Sequence, residues 1–271
     1  MRAREFKDAL RSGRVLVGFQ QFMPSATLTE MAGIAGFDWV FLCTEHGSIT
    51  IGSELEHITR AADAAGMTSV VRVTHNDYPI ILRCLELGAK GVMVPRVKSR
   101  AEVERTVSWV KYPPVGTRGI CGYTRGYSYG EEPVASDRVN EESLVMLLIE
   151  ELEAFDHLDE ILSVPGVDCA VFGAGDLSMQ LGIRQEMGTL DAGALETLRS
   201  YRRQFGDACR RHNVPVGDII RDLAGMPALL EEGVTVFASI PDTGLIQGAM
   251  TSVVGGARQA ASRAEGGVAV S

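Results

Sequence analysis

The sequence predicts a single-domain (β/α)8 barrel spanning residues 1–271. Three observations carry that prediction. Eight short apolar segments recur along the chain, helical segments separate consecutive ones, and no group of strands runs together uninterrupted. The apolar segments are near-continuously hydrophobic rather than alternating, which is how parallel strands covered on both faces read.

REFKDALRSG (4–13) opens the chain with a helical pattern. The strand candidates follow as VLVGFQQF (15–22), WVFLCTEH (39–46), TSVVRVT (68–74) and GVMVPRV (91–97). SLVMLLIE (143–150), CAVFGAG (169–175), VPVGDII (214–220) and VTVFASI (234–240) complete the set. Helical stretches lie between them, and four end in a glycine suited to a helix C-terminus: Gly36, Gly66, Gly88 and Gly233. The competing architecture is a doubly wound open sheet. It calls for a glycine-rich phosphate loop after the first strand, and GFQQFMPS lacks the GxGxxG spacing.

Residues 111–133 interrupt this order with a long segment rich in Gly, Tyr and Pro that carries Arg118 and Arg125. Loops of that length in a compact domain are commonly functional, so a lid or binding loop is expected. The tail 264–271 is expected to fray, leaving a core of about residues 5–255.

At 45% hydrophobic with a mean hydropathy of +0.07, the chain can bury a large core. Its formal charge of −9 argues against a nucleic-acid or anionic-membrane partner. The five cysteines are scattered and show no CxxC spacing, so neither a disulfide framework nor a zinc knuckle is expected. With no apolar run long enough for a membrane span and a polar first ten residues, the reading is a reduced, cytoplasmic protein.

Barrel chemistry sits at the carboxyl ends of the strands. Strand two ends in Glu45-His46, strand three carries Arg72, strand five ends in Glu150 and strand six runs into Asp176. Glu150 and Asp176, on adjacent strands about 5 Å apart, share a mouth comfortably only around a cation. A hard divalent ion fits, since Mg2+ and Mn2+ take one or two carboxylates and leave room for substrate oxygens. Alternatively, Asp176 is an ordinary helix N-cap. Gly173, Ala174 and Gly175 place backbone N–H groups at a helix start, where a substrate carboxylate could bind.

Histidine as a residue type suits proton transfer near neutral pH, and His46 follows an apolar strand toward the mouth. Arg72, in an otherwise apolar strand, must meet an anion. That anion is either Glu45, in a structural pair, or a substrate oxyanion. Glu86 is a candidate for orienting His46. No lysine lies within a strand, so no Schiff base is expected: Lys90 and Lys98 flank theirs.

GFDWVFLCTEHG, SVVRVTHND, CLELGAKGVMVPRV, YPPVGTRG, LLIE and FGAGDLS, in that order, resemble the HpcH/HpaI aldolase family of metal-dependent pyruvate aldolases. The resemblance implies a carbon–carbon lyase that reversibly cleaves a 4-hydroxy-2-keto acid to pyruvate, or a close 2-keto acid, and an aldehyde. It implies a divalent cation, Mg2+ or Mn2+ with Co2+ as another option, held by Glu150 and Asp176. His46 becomes the general acid/base, Arg72 the enolate stabiliser and Glu86 the carboxylate that tunes the histidine. Substrate contacts fall on Arg72, Leu148, Ala174, Gly175 and Asp176. It also implies a homo-oligomer, a hexamer or trimer of dimers, assembled through the C-terminal helix around LIQGAMTSVVGGARQAA.

Three departures from the family pattern bear on the substrate. Leu148 stands where the family has glutamine, Cys43-Thr44-Glu45-His46 replaces Asp-Gly-Glu-His, and Gly173-Ala174-Gly175-Asp176 replaces Gly-Pro-Ala-Asp. They motivate other outcomes on the same scaffold. One is oxaloacetate decarboxylation or a carbon–carbon bond-forming step with an unusual acceptor, which Tyr123, Tyr127 and Tyr129 would also suit. Another is a catalytically silent binding protein.

Overall fold

A computed structural model describes residues 1, 3–131, 135–183, 192–220 and 222–267. Eight parallel strands close in sequence order: β1 (Leu16–Gln21), β2 (Trp39–Cys43), β3 (Thr68–Arg72), β4 (Gly91–Val94), β5 (Leu144–Ile149), β6 (Cys169–Phe172), β7 (Val216–Ile219) and β8 (Val234–Ala238). Around them run α1 (Ala3–Arg11), α2 (Ala26–Ala35), α3 (Ser53–Ala64), α4 (Tyr78–Glu86), α5 (Arg100–Val110), α6 (Ser136–Glu142) and α7 (Leu158–Leu162). The order closes with α8 (Ala174–Gln180), α9 (Ala192–Arg211), α10 (Met226–Glu231) and α11 (Asp242–Gly267).

Each expected strand is present, but most stop short of the expected carboxyl end. WVFLCTEH leaves the sheet after Cys43, and CAVFGAG after Phe172. The surplus residues turn out of the ladder to build the mouth, so the polar residues there sit on loops and helix starts. The four helix-ending glycines all adopt positive φ, from 72° to 101°, the left-handed conformation that a helix terminus of this kind demands. Of the tail, residues 264–267 continue α11, and the remainder lies outside the described residues.

Alternation along the strands produces two cores. Side chains of Leu16, Trp39, Phe41, Val70, Met93, Met146, Leu148 and Val171 fill the barrel, and Phe6, Ala9 and Leu10 of α1 close its amino end. Opposite faces of the same strands pack against the helices, as Val40, Leu42, Val71, Val92, Leu147 and Phe172 do. Burying each large apolar side chain contributes about 1.5–3 kcal/mol. Gly18 points inward where a Cβ would strike the Trp39 indole, so the indole spans the axis only because that position is bare.

The amino end also gathers buried charge. Lys7 meets Asp168 at 2.9 Å, and Asp168 accepts a hydrogen bond from Val145 N at 2.9 Å. Beside them the Lys111 Nζ donates to the carbonyls of Asn140 and Ser143, each at 2.6 Å. Burial and the neighbouring Lys7 ammonium push Lys111 down to about 7.

The 111–133 segment corrects an expectation. It follows α5 and precedes β5, and helices run antiparallel to the strands, so it lies at the amino end, away from the mouth. Arg118 there pairs with Glu86 at 3.1 Å and stacks on Tyr112, while Arg125 pairs with Asp63 near the end of α3. Its described residues form a clasp across helix ends and do not cover this chain's own mouth; residues 132–134 lie outside the described residues.

Candidate active site

At the carboxyl end a cavity of ≈ 460 Å³ opens among the strand-end loops. His46, Arg72, Leu148, Glu150, Ala174, Gly175 and Asp176 all line it, so seven of the eight candidate residues converge. They come from β2, β3, β5 and β6, neighbouring strands on one side of the barrel.

Glu150 follows the last residue of β5, and the pairing of Ile149 with Phe172 sets it opposite Gly173. A Cβ at Gly173 would collide with Glu150, so this glycine makes room for the carboxylate. Glu150 Oε1 accepts from the backbone N–H of Arg96 at 3.0 Å. Arg96 adopts φ 56°, a conformation uncommon for non-glycine residues, and that bend turns the amide toward the mouth. Burial and, next, the negative charge of Asp176 push the Glu150 carboxyl up to about 7. The adjacent Glu151 is answered by Arg96 at 2.7 Å and Lys98 at 3.7 Å; among the described residues no ion pair reaches Glu150, and the Arg72 guanidinium only opposes its rise.

Asp176 lies one step further from the sheet than its expected strand-end position. It is the third residue of α8 and does not cap it; Gly173 holds the N-cap position without a side-chain bond.

Arg72 ends β3 buried, with its Nε 3.1 Å from Glu45 Oε2 and its Nη2 donating to Cys43 Sγ at 2.9 Å. The structural pair with Glu45 is therefore present, and the guanidinium still faces the cavity. Glu45 Oε2 also approaches His46 Nε2 at 3.9 Å, so one carboxylate stands between imidazole and guanidinium. Cys43 Sγ accepts a second bond from His46 N at 3.2 Å and anchors the turn that carries the histidine.

Within the chain, Glu86 lies away from the chain's own mouth. It ends α4 at the amino end of the barrel, paired with Arg118. A helix that follows a strand runs back down the barrel, so its last turn cannot reach His46. Glu45 occupies the position that Glu86 was expected to fill.

Sequence reasoning missed Gln20, Phe22, Ile219, Ile240 and Pro241, which line the opposite wall. The signal for Gln20 was available: two consecutive glutamines in an apolar strand place one amide inside the barrel and one outside.

The residues present fit a divalent cation. Two carboxylates face one cavity, one of them desolvated and repelled by the other, and a bare Gly173 leaves space beside it. No group of three or more His, Cys, Asp or Glu side chains forms a closed cage among the described residues. Two carboxylates with open positions suit a hard ion that keeps water or substrate oxygens.

A closed parallel barrel with an acidic, cation-ready mouth defines a (β/α)8 enzyme. A family model for HpcH/HpaI aldolase/citrate lyase matches residues 20–247, and the chain belongs to that family of aldolase-type enzymes. It is 40% identical over 158 residues to 2-dehydro-3,6-dideoxy-6-sulfogluconate aldolase of Pseudomonas putida, an alignment covering 58% of this chain and 62% of that one. It is 34% identical to hydroxypyruvate/pyruvate aldolase of Sagittula stellata, over 65% of this chain and 70% of that one. Among solved structures, the HpcH/HpaI aldolase of Desulfitobacterium hafniense superposes with a TM-score of 0.84 at 28% identity, covering 93% and 96% of the two chains.

Proposed function

We propose that this chain is a metal-dependent carbon–carbon lyase that reversibly cleaves a 4-hydroxy-2-keto acid to pyruvate, or a close 2-keto acid, and an aldehyde. One observation carries the reading: two mutually repelling carboxylates share a cavity with a buried guanidinium and an exposed histidine.

Glu150 and Asp176 would hold a divalent cation, Mg2+, Mn2+ or Co2+, which supplies Lewis-acid polarisation of a keto acid's carbonyl. Arg72 directs its donors at the oxygen where negative charge develops. Glu45 holds that guanidinium in place through Nε and Cys43 through Nη2, with the group still lining the cavity. His46, at the rim, moves the proton of the 4-hydroxyl. The opening turn of α8 at Ala174, Gly175 and Asp176 offers backbone N–H groups to the substrate carboxylate. Leu148 contributes shape and no hydrogen bond.

The test is retro-aldol turnover of a 4-hydroxy-2-keto acid, followed through released pyruvate. His46→Ala should lower turnover by about 10²–10⁴-fold, and chelation of divalent ions should abolish it reversibly. Full activity after exhaustive chelation overturns the reading.

A second reading keeps the enolate and changes its partner: decarboxylation of oxaloacetate, or bond formation to another acceptor. The apolar wall of Phe22, Ile219 and Ile240 beside Leu148 favours it. The tyrosine-rich loop no longer does, because it lies at the other end. Product identification with oxaloacetate, pyruvate and an aldehyde panel separates the two readings.

Several exposed apolar residues of α11, Leu245, Met250, Val253 and Val254, support assembly with further copies of the chain, in the hexamer or trimer of dimers its family resemblance implies. No helix among the described residues is long and apolar enough to cross a membrane. Its five free cysteines, four of them buried, support a reduced cytoplasmic setting.

A further inference from the structure

The cavity has two unlike walls. Strands β2, β3, β5 and β6 bring the charged groups, whereas β1, β7 and β8 bring Phe22, Ile219, Ile240 and Pro241. One polar side chain breaks the apolar wall. Gln20, on β1, is 3% exposed, and its Oε1 is buried without a hydrogen-bond partner. The neighbouring Gln21 makes the contrast plain: its amide donates to the carbonyls of Met23 and Ser25 and accepts from Thr29. Gln21 is a structural glutamine. Gln20 is not.

A buried amide oxygen left unanswered is unfavourable, and such groups in folded proteins usually await a partner. The terminal torsion of glutamine is soft, so either end of the amide can turn to the cavity. A carboxamide both donates and accepts, and so does a hydroxyl. In a closed eight-stranded barrel β1 lies across the axis from β5, so Gln20 faces Glu150 from the far wall. A keto acid held on the charged side would extend its remaining carbons toward the wall that carries Gln20.

We infer that Gln20 is a specificity-determining residue that selects an aldehyde fragment bearing a hydroxyl group. This inference rests on the aldolase reading above and names the substrate class of its second half. A site built to hydrogen-bond a hydroxyl discriminates strongly against the analogue that lacks it, because the protein group is then left buried and unpaired.

The experiment compares glycolaldehyde with propanal, which exchanges the hydroxyl for a methyl of similar size, as acceptors for pyruvate with the metal-loaded enzyme. Wild type should favour glycolaldehyde in kcat/KM by about tenfold or more. Gln20→Leu and Gln20→Met should each bring that ratio to within about twofold of unity. Because both acceptors are measured in one preparation, loss of folded protein cancels from the ratio. A wild type that favours propanal, or variants that keep the wild-type ratio, overturn the inference. Exchange of pyruvate methyl protons with deuterated water, measured on wild type alone, identifies the origin of a failure. Exchange with an unmoved ratio condemns Gln20 alone; no exchange condemns the aldolase reading and this inference with it.

Discussion

The two ends of the barrel bury charge in opposite ways. At the amino end, Lys7 and Lys111 crowd one carboxylate, Asp168, and burial drives Lys111 down to about 7, which brings the cluster close to electrical balance. Arg118 is paired with Glu86, and Asp63 meets both Arg125 and Lys90. At the carboxyl end, Glu150 and Asp176 repel each other, and the nearest guanidinium is already engaged by Glu45. Paired carboxylates mark the end that holds the fold; two carboxylates that repel each other mark the end that awaits a ligand.

Breaking each end in turn sharpens that contrast. The largest effect is expected at the mouth. Glu150→Ala or Asp176→Ala should reduce lyase turnover by about three orders of magnitude, as loss of several kcal/mol of transition-state stabilisation implies. Both variants should unfold at a temperature no lower than the metal-free wild type. A cooperative loss of structure would place these carboxylates among the residues that hold the fold.

At the other end the outcome should invert. Lys7→Met breaks the buried pair with Asp168, leaving Lys111 as the nearby cation, and should cost about 1–3 kcal/mol of stability, read by denaturant unfolding. Its kcat, measured on the folded fraction, should stay within about threefold of wild type, because the substitution is remote from the mouth.

A smaller effect concerns pH. Glu150 rises from 4.5 to about 7 in the folded protein, so between those values the folded state holds more protons than the unfolded one. Stability of the metal-free protein therefore falls as pH rises through that window, by about 1–3 kcal/mol. Glu150→Gln should flatten that slope and exceed the wild type in metal-free stability at pH 8. An unchanged slope would mean that Glu150 binds its proton no more tightly in the folded protein than in the unfolded chain.

Much of this division was legible in the residues. Apolar segments in strict alternation with helices specify a closed parallel barrel, and Arg72 inside such a segment had to meet a counter-charge. Glu45 was legible as that counter-charge. Its second approach, to His46, was not, because it depends on how the chain turns after Cys43. Glu86 was misassigned by reading spacing without direction. CLELG ends a helix that follows β3, and such a helix carries its last turn to the opposite end of the barrel. The 111–133 loop was misread in the same way, since a connection from helix to strand belongs at the amino end whatever its length. Gln20 escaped because an uncharged amide in a strand raises no electrostatic alarm. Only the absence of a partner, visible once neighbours are in place, sets it apart from Gln21.

The hydrogen bond from Arg96 to Glu150 comes from main chain, and this has an evolutionary consequence. Any amino acid that tolerates a left-handed bend can occupy position 96 and still supply the same donor; proline, which has no N–H, cannot. The grip on the carboxylate is thus written in the path of the β4 turn and is blind to the side chain there. The rim can drift in charge and bulk, and so explore new acceptors, while the acidic centre keeps its aim.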